Sequence, residues 1–237
     1  MARNDRKRAT DGIRVSMSCL AEFVTSYGRS PESRLRPYKF NKRGEGFARI
    51  SYYQSALRTL RAYHSEGNDP AVFERGLLEM RTHADKATKN WERIKAERNI
   101  SAVEAYRRIY GNRKFKILPN RRLEYRIGGT IVTAQPDLWA VEQGTQVLLK
   151  VGMARHKISY VDMILSLLRK AAVSSGYKIR ARNIVYLNVS TGREMICSGG
   201  LARFNSTFAA GAREIADVWQ RMKTNTPPSG DQSEARP

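Results

Sequence analysis

Apolar residues change their spacing about halfway along the chain, and this change divides it into two parts. Up to about residue 110 they recur every three or four positions, as on a helix with one buried face. Such stretches are predicted helices at 15–27, 47–64, 70–98 and 102–110. Between the first two, segment 34–43 alternates cations with aromatics. It is predicted to be a loop, suited either to contact nucleic acid or to anchor itself in the core.

Beyond Gly111 the apolar residues alternate with polar ones, which is typical of half-buried strands. Strands are predicted at 114–118, 122–127 and 130–133, then from Asp137 and around Lys150, and later at 184–189 and 193–196. Helical spacing returns at 158–173 and 201–222. An antiparallel meander, a crossover helix and a further buried strand predict an α/β (α+β) fold. We expect a mixed central β-sheet flanked by helices, behind a helical N-terminal region.

The domain boundaries follow from length, composition and charge. For 237 residues with 41% hydrophobic composition we expect a single domain over 13–223, made of a helical part at 13–111 and a sheet core at 112–223. Residues 1–12 are predicted to be a flexible basic arm, because charge there lacks apolar spacing. Residues 224–237 are predicted to be a disordered tail.

The charge of the chain favours anionic partners. Its 43 Lys and Arg residues against 22 Asp and Glu residues give a net charge of +21 and a pI near 10.4. Nucleic acid is the expected partner, because phosphate neutralisation releases counterions. DNA is expected rather than RNA. Basicity alone leaves an anionic membrane surface and ribosomal RNA open. Without a membrane-spanning apolar run or an apolar signal segment, we expect no membrane and a cytoplasmic location.

Two oppositely charged residues stand on neighbouring apolar strands. Asp137 follows Pro136 and begins one strand, while Lys150 lies between Leu149 and Val151 on the next. Central strands seldom carry an unpaired cation, so Lys150 is expected to need an anion, and Asp137 is the nearest candidate. The alternative for Asp137 is a turn or a strand start without further role.

The stretch 136–152, with the order of elements around it, resembles the PD-(D/E)XK nuclease superfamily and its RecB-type branch. The resemblance implies Asp137 as the first metal ligand, the Leu149 carbonyl as another ligand and Lys150 as the catalytic lysine. Magnesium or manganese would activate water at a scissile phosphate. Leu148 stands where the pattern has a second acid, so the motif is degenerate and metal binding is expected to be weak. With only two cysteines, no iron–sulfur cluster, zinc site or disulfide framework is expected.

An acid from elsewhere in the fold could replace the missing one. Glu124, Glu142 and Asp162 are near the site in sequence. Glu79 and His83 lie four positions apart on one predicted helix, where they suit either a metal site or a solvated face.

Five cations close to the proposed site in sequence are expected to hold phosphates. They are Lys116, Arg121, Arg122, Arg155 and Lys157. Three functions follow. The favoured one is a nucleic-acid-binding protein with a nuclease-like fold and no catalysis. The first alternative is an active magnesium- or manganese-dependent deoxyribonuclease with an acid supplied from elsewhere, and the second is an RNA-binding or assembly protein.

Overall fold

The computed structural model describes residues 13–26, 28–39, 52–198 and 201–224. Across these ranges the α-helices are α1 Met17–Thr25, α2 Pro31–Lys39, α3 Gln54–Ser65, α4 Pro70–Asp85, α5 Asn90–Tyr110, α6 Ile158–Ser174 and α7 Leu201–Thr224. The strands are β1 Ile13–Ser16, β2 Lys116–Ile117, β3 Leu123–Ile127, β4 Thr130–Ala134, β5 Leu138–Glu142, β6 Thr145–Gly152, β7 Ile184–Asn188 and β8 Arg193–Ile196. A 3-10 helix, Ala181–Asn183, precedes β7. The predicted α/β fold class is confirmed, whereas the predicted basic arm and nearly all of the tail lie outside these residues.

The strands form two mixed sheets rather than the one that was predicted. The first has the order β1-β4-β3, with β1 parallel and β3 antiparallel to β4. The second has the order β2-β5-β6-β7-β8. Gln143 and Gly144 join β5 to β6 with φ values of 47° and 76°, as a two-residue hairpin turn with a right-handed twist requires. Helix α6 then crosses over, so that β7 runs parallel to β6.

The predicted hairpin across Pro119 and Asn120 is wrong, because β2 pairs with β5 instead of β3. Leu118 continues that pairing by donating its amide to the Trp139 carbonyl over 2.7 Å. Pro119 has no amide hydrogen to donate, and the Asn120 side chain donates to the Pro136 carbonyl over 2.9 Å. The chain therefore crosses from the second sheet to the first at this point.

Two predictions for the N-terminal region are also wrong. Residues Ile13–Ser16, partly assigned to the first helix, form β1, and the Ser16 hydroxyl then caps α1 by accepting from the Cys19 amide over 3.1 Å. The predicted loop 34–43 is helical as far as Lys39, where α2 ends. Leu35 is fully buried, which supplies the packing that holds α2 in place.

The predicted helix 70–98 is divided at residues 86–89, and its second part continues without a break into the predicted helix 102–110. Trp91, which falls on the apolar spacing of the predicted helix 70–98, is 56% exposed, so the apolar face does not continue through the break. Asn99, inside this second helix, is buried and caps another helix. Its Oδ1 accepts from the Ala56 amide of α3 over 3.0 Å, and its Nδ2 donates to the Tyr52 carbonyl over 2.7 Å.

Two hydrophobic cores lie on the two faces of the second sheet. The adjacent residues Leu148 and Leu149 of β6 point to opposite faces, as successive strand residues do, and both are fully buried. Leu148 packs in the first core, with residues of α1, α6, α7 and the first sheet. Leu149 packs in the second, with residues of α3, α4 and α5. None of the helices within the described ranges has both the length and the apolar character that a bilayer crossing needs.

His64 of α3 is buried in the second core with both ring nitrogens bonded. Nδ1 lies 3.0 Å from Asn68 Oδ1, and Nε2 lies 2.8 Å from the Tyr106 hydroxyl. The Asn68 amide nitrogen donates to the Arg113 carbonyl over 2.7 Å, so Asn68 Oδ1 must accept from His64 Nδ1. A neutral imidazole, donating from Nδ1 and accepting at Nε2, satisfies this arrangement. Burial accordingly lowers the pKa of His64 below its usual 6.5.

We predict that His64 makes the protein less stable in mild acid. The unfolded chain takes up a proton at this residue more readily than the folded chain as pH falls below about 6.5. Its contribution is fully present above that pH and is lost as pH falls toward the lower folded pKa. Urea unfolding between pH 7.5 and 5 should show a smaller loss of unfolding free energy in His64→Gln than in wild type. Equal pH dependence in the two proteins would refute the assignment.

Candidate functional site

Asp137 and Lys150 lie opposite each other on one face of the second sheet. The β5–β6 register pairs Leu138 with Leu149, which places Asp137 across from Lys150. Lys150 Nζ donates to Asp137 Oδ1 over 2.9 Å, so the predicted pairing of these residues is confirmed. The Val151 amide donates to Asp137 Oδ2 over 2.8 Å. Both carboxylate oxygens are thus bonded within the protein.

Backbone contacts from three parts of the chain fix the position of Asp137. Its own amide donates to the Leu149 carbonyl over 2.8 Å. Arg61 of α3 donates from Nε to the Asp137 carbonyl over 2.8 Å, and Asn120 holds the preceding carbonyl of Pro136. The pair is partly shielded from water, since the Asp137 side chain is 10% exposed and the Lys150 side chain 23%.

Aromatic side chains cover the pair on the side of α6. Tyr186 stands beside Lys150 on β7, and Tyr160 enters from the first turn of α6. His156 stacks on Tyr160 with ring centroids 4.9 Å apart. Burial raises the pKa of Tyr186, and Tyr160 and Asp137 raise it further. Burial has the opposite effect on the imidazole of His156 and lowers its pKa, because it disfavours the charged form. These rings are therefore neutral near neutral pH and make the surroundings of the pair less polar.

A second carboxylate approaches this aromatic group from α1. Burial raises the pKa of Tyr160, and the carboxylates of Glu22 and Asp137 both raise it further, so both lie within electrostatic reach of that hydroxyl. Glu22 Oε2 also accepts from the Tyr38 hydroxyl over 2.5 Å. Glu22 was not among the predicted acids, because it lies on α1, far from Asp137 along the chain. The available signal was a carboxylate set between the apolar residues Ala21 and Phe23 of an otherwise buried helix.

The acids nominated from sequence lie elsewhere or make other contacts. Glu124 forms a salt bridge with Arg14 over 2.6 Å. Glu142, at the turn end of β5, accepts hydrogen bonds from Nε and Nη2 of Arg113 over 2.7 and 2.5 Å. Asp162 is partly buried on α6, whereas Glu79 and His83 are solvent-exposed on α4. The structure thus puts Glu124 and Glu142 in ion pairs of their own.

The donor groups at Asp137 fit an ion pair better than a metal centre. In the part of the chain that the structure describes, no three His, Cys, Asp or Glu side chains converge as a metal site. The Leu149 carbonyl, implied as a metal ligand, accepts the Asp137 amide. Magnesium would have to compete with the Lys150 ammonium for Asp137 Oδ1. Leu148, in the second-acid position, is fully buried opposite Trp139 in the first core.

Four of the five cations predicted to hold phosphates lie in two loops, one between β2 and β3 and one between β6 and α6. Arg121 and Arg122 lie between β2 and β3, where Arg121 Nη1 donates to the Tyr177 hydroxyl over 3.1 Å. Arg155 and Lys157 lie between β6 and α6, on either side of His156 in sequence. All four are exposed, and none forms a salt bridge among residues 13–26, 28–39, 52–198 and 201–224.

Lys116 is placed apart from the other four cations. It pairs with Val141 near the turn end of β5, roughly 13 Å along the strand from Asp137.

Comparison of the chain with protein-family models and with curated proteins gives no match. The assignment of function therefore depends on the geometry described above.

We predict strong energetic coupling between Asp137 and Lys150. Removing one partner leaves a poorly solvated charge, which costs roughly 3 kcal/mol of unfolding free energy for well-buried pairs and somewhat less for the partly exposed Lys150. Asp137→Asn and Lys150→Met should each destabilise the protein, and the double variant should be more stable than the sum of the two losses implies. A double-mutant cycle from urea unfolding measures this coupling. Additive losses would contradict it.

Gly152 has no side chain, and this leaves room for the Tyr186 ring beside the Asp137–Lys150 pair. A Cβ at Gly152 would lie 2.0 Å from the Tyr186 hydroxyl and 2.4 Å from Cζ. We predict that Gly152→Ala costs about 1–3 kcal/mol of unfolding free energy, as overpacking does. In a Tyr186→Leu background, which removes the ring, the same substitution should cost clearly less. Thermal or urea unfolding of the four proteins tests this, and an equal cost in both backgrounds would show that the ring is not responsible.

Proposed function

We propose that this chain is a nucleic-acid-binding protein with a PD-(D/E)XK nuclease-like fold that holds DNA without cutting it. The observation that carries the proposal is the closed contact of Asp137, whose oxygens are bonded to the Lys150 ammonium and the Val151 amide. In the nuclease pattern these residues would serve a metal and water. Here they satisfy each other.

The order of elements supports the nuclease-like interpretation. An N-terminal helix precedes a pair of antiparallel hairpins, β3–β4 and β5–β6, and a crossover helix then leads to a strand parallel to β6. Asp137 at the start of β5 and Lys150 near the end of β6 occupy the positions that the resemblance implies. Proteins that share a fold often differ in activity. The contacts of Asp137 and Lys150 therefore carry the functional proposal.

Loss of catalysis is supported by the packing of Leu148. Its side chain is in the first core on the same face as Lys150, and its exposed fraction is 0%. An acid there would be desolvated, and hydrocarbon in its place removes one of the few oxygen ligands that magnesium has. DNA binding is supported by the net charge of +21 and by the exposed cations Arg121, Arg122, Arg155 and Lys157 near the site.

An active magnesium- or manganese-dependent deoxyribonuclease is the second candidate, and Glu22 is the observation that favours it. Its carboxylate and that of Asp137 both act on Tyr160 from different elements of the fold. For this activity Lys150 would have to release Asp137, and Glu22 would supply the acid that Leu148 cannot. Binding of either metal that is lost in Asp137→Ala, measured by calorimetry, would support this candidate.

One experiment with labelled DNA tests the proposal. We predict duplex binding that weakens steeply with salt, and no cleavage with magnesium or manganese. Arg155→Gln/Lys157→Gln should flatten the slope of log affinity against log salt by up to about 2, since each phosphate contact contributes about 0.9. The matched control Arg126→Gln/Arg182→Gln removes two exposed charges from β3 and from the 3-10 helix, and should change the slope less.

Three outcomes would overturn the proposal. Cleavage by wild type that disappears in Lys150→Ala and Asp137→Ala would identify an enzyme. A binding constant independent of salt would remove the electrostatic mechanism. Tighter binding of RNA than of DNA at equal length and salt would favour the RNA-binding or assembly alternative.

A further inference from the structure

A cavity of about 880 Å³ opens where the parallel strands β6 and β7 end. Residues that follow these strands, including Met153 and Ser190, form one side of it, and the C-terminal half of α5 forms the other. In α/β sheets, ligands commonly bind in the crevice outside the carboxyl ends of parallel strands. The size is within the usual range for small-molecule sites, which is roughly 300–1,000 Å³.

This cavity lies on the other face of the sheet from the Asp137–Lys150 pair. Lys150 is paired in register with Tyr186, which packs in the first core. Val189 and Met153 line the cavity and pack in or against the second core. A ligand in the cavity would therefore contact side chains other than those around the Asp137–Lys150 pair.

The cavity combines cations, hydroxyls and an apolar floor. Arg98 and Arg108 project from α5, about 15 Å apart along the helix axis. Both are exposed, and neither meets a carboxylate in the described portions of the chain. Ser190 and Thr191 stand opposite in a turn fixed by Asn188, whose Oδ1 accepts from Ser190 Oγ over 2.8 Å and from the Thr191 amide over 3.2 Å.

An aromatic side chain completes the lining. Tyr53 is half-buried directly before α3. The Arg98 guanidinium lies 6.0 Å from the ring centroid of the adjacent Tyr52. Burial raises the pKa of the Tyr53 hydroxyl, and Arg98 lowers it. Ala102 and Ala105 of α5 contribute small apolar side chains between the two arginines. The space between the two arginines is thus bordered by small apolar side chains and by an aromatic ring.

We infer that this cavity binds a phosphorylated nucleotide, with Arg98 and Arg108 on phosphates and Tyr53 against a base. Guanidinium groups bind phosphate oxygens in a bidentate manner, and aromatic rings stack on any base. Two arginines that stand about 15 Å apart along the axis of one helix suit a ligand with more than one phosphate. A segment of a single DNA strand and a free nucleoside triphosphate both offer this chemistry.

Fluorescence anisotropy with the full chain tests the inference, using a short labelled single-stranded oligodeoxynucleotide and ATP as separate ligands. Arg98→Gln/Arg108→Gln should weaken binding of the ligand that occupies the cavity by roughly tenfold or more. Arg126→Gln/Arg182→Gln, which removes the same charge from exposed positions outside the cavity, should change it by no more than about threefold. Ala154→Trp should block the mouth without changing charge and should weaken binding comparably. Thermal unfolding checks that all variants remain folded.

The possible outcomes distinguish a failure of the cavity inference from a failure of the proposed function. Selective loss in both cavity variants supports the inference, and competition by ATP then distinguishes a free nucleotide from a strand segment. Equal losses in the two double variants, or wild-type binding by Ala154→Trp, would overturn it while leaving DNA binding in place. Binding of ATP in the cavity without any binding of DNA would uphold the cavity and reject the proposed function. No binding of either ligand would reject both.

Discussion

The carboxylate of Asp137 joins two strands in a way that backbone pairing alone does not provide. One oxygen takes the ammonium of Lys150 and the other takes the Val151 amide, while Arg61 and Asn120 secure the backbone around it. Helix α3, the crossing between the sheets and the β5–β6 hairpin therefore meet at one residue. A buried ion pair contributes less to stability than an apolar pair of equal volume, so its presence favours a role that hydrocarbon could not fill.

Leu148 and Leu149 show how one strand serves two environments. They are consecutive, yet each is fully buried in a different core, one beneath α1, α6 and α7 and the other beneath α3, α4 and α5. Because the side-chain period of a strand is two, Lys150 necessarily shares a face with Leu148. The same alternation directs Met153 and Val189 to the opposite face, where the cavity lies. The two candidate sites are thus close to the same end of the sheet but face different helices.

Local pattern was sufficient for the parts of the fold that depend on near neighbours. The β5–β6 hairpin follows from its turn residues, α6 from its apolar spacing, and the ion pair from the cost of leaving Lys150 without an anion. Contacts between residues that are distant in sequence could not be predicted from local pattern. Nothing in the local pattern of β2 selects β5 over β3, and nothing near Asp137 points to Glu22 on α1. The length of α5 was missed for the same reason, because Asn99 caps the distant helix α3 while its Nδ2 also donates to the Lys95 carbonyl within α5 over 2.8 Å.

Strand β1 has a consequence beyond its four residues. It pairs in parallel with β4, whose five residues are all buried, and so covers one side of a three-stranded sheet. If Ile13–Ser16 were displaced, the backbone amides and carbonyls of an apolar strand would become an open edge. Such an edge accepts a strand from another molecule, and self-association is the usual result. The short N-terminal strand therefore keeps the wholly buried strand β4 away from the edge of its sheet.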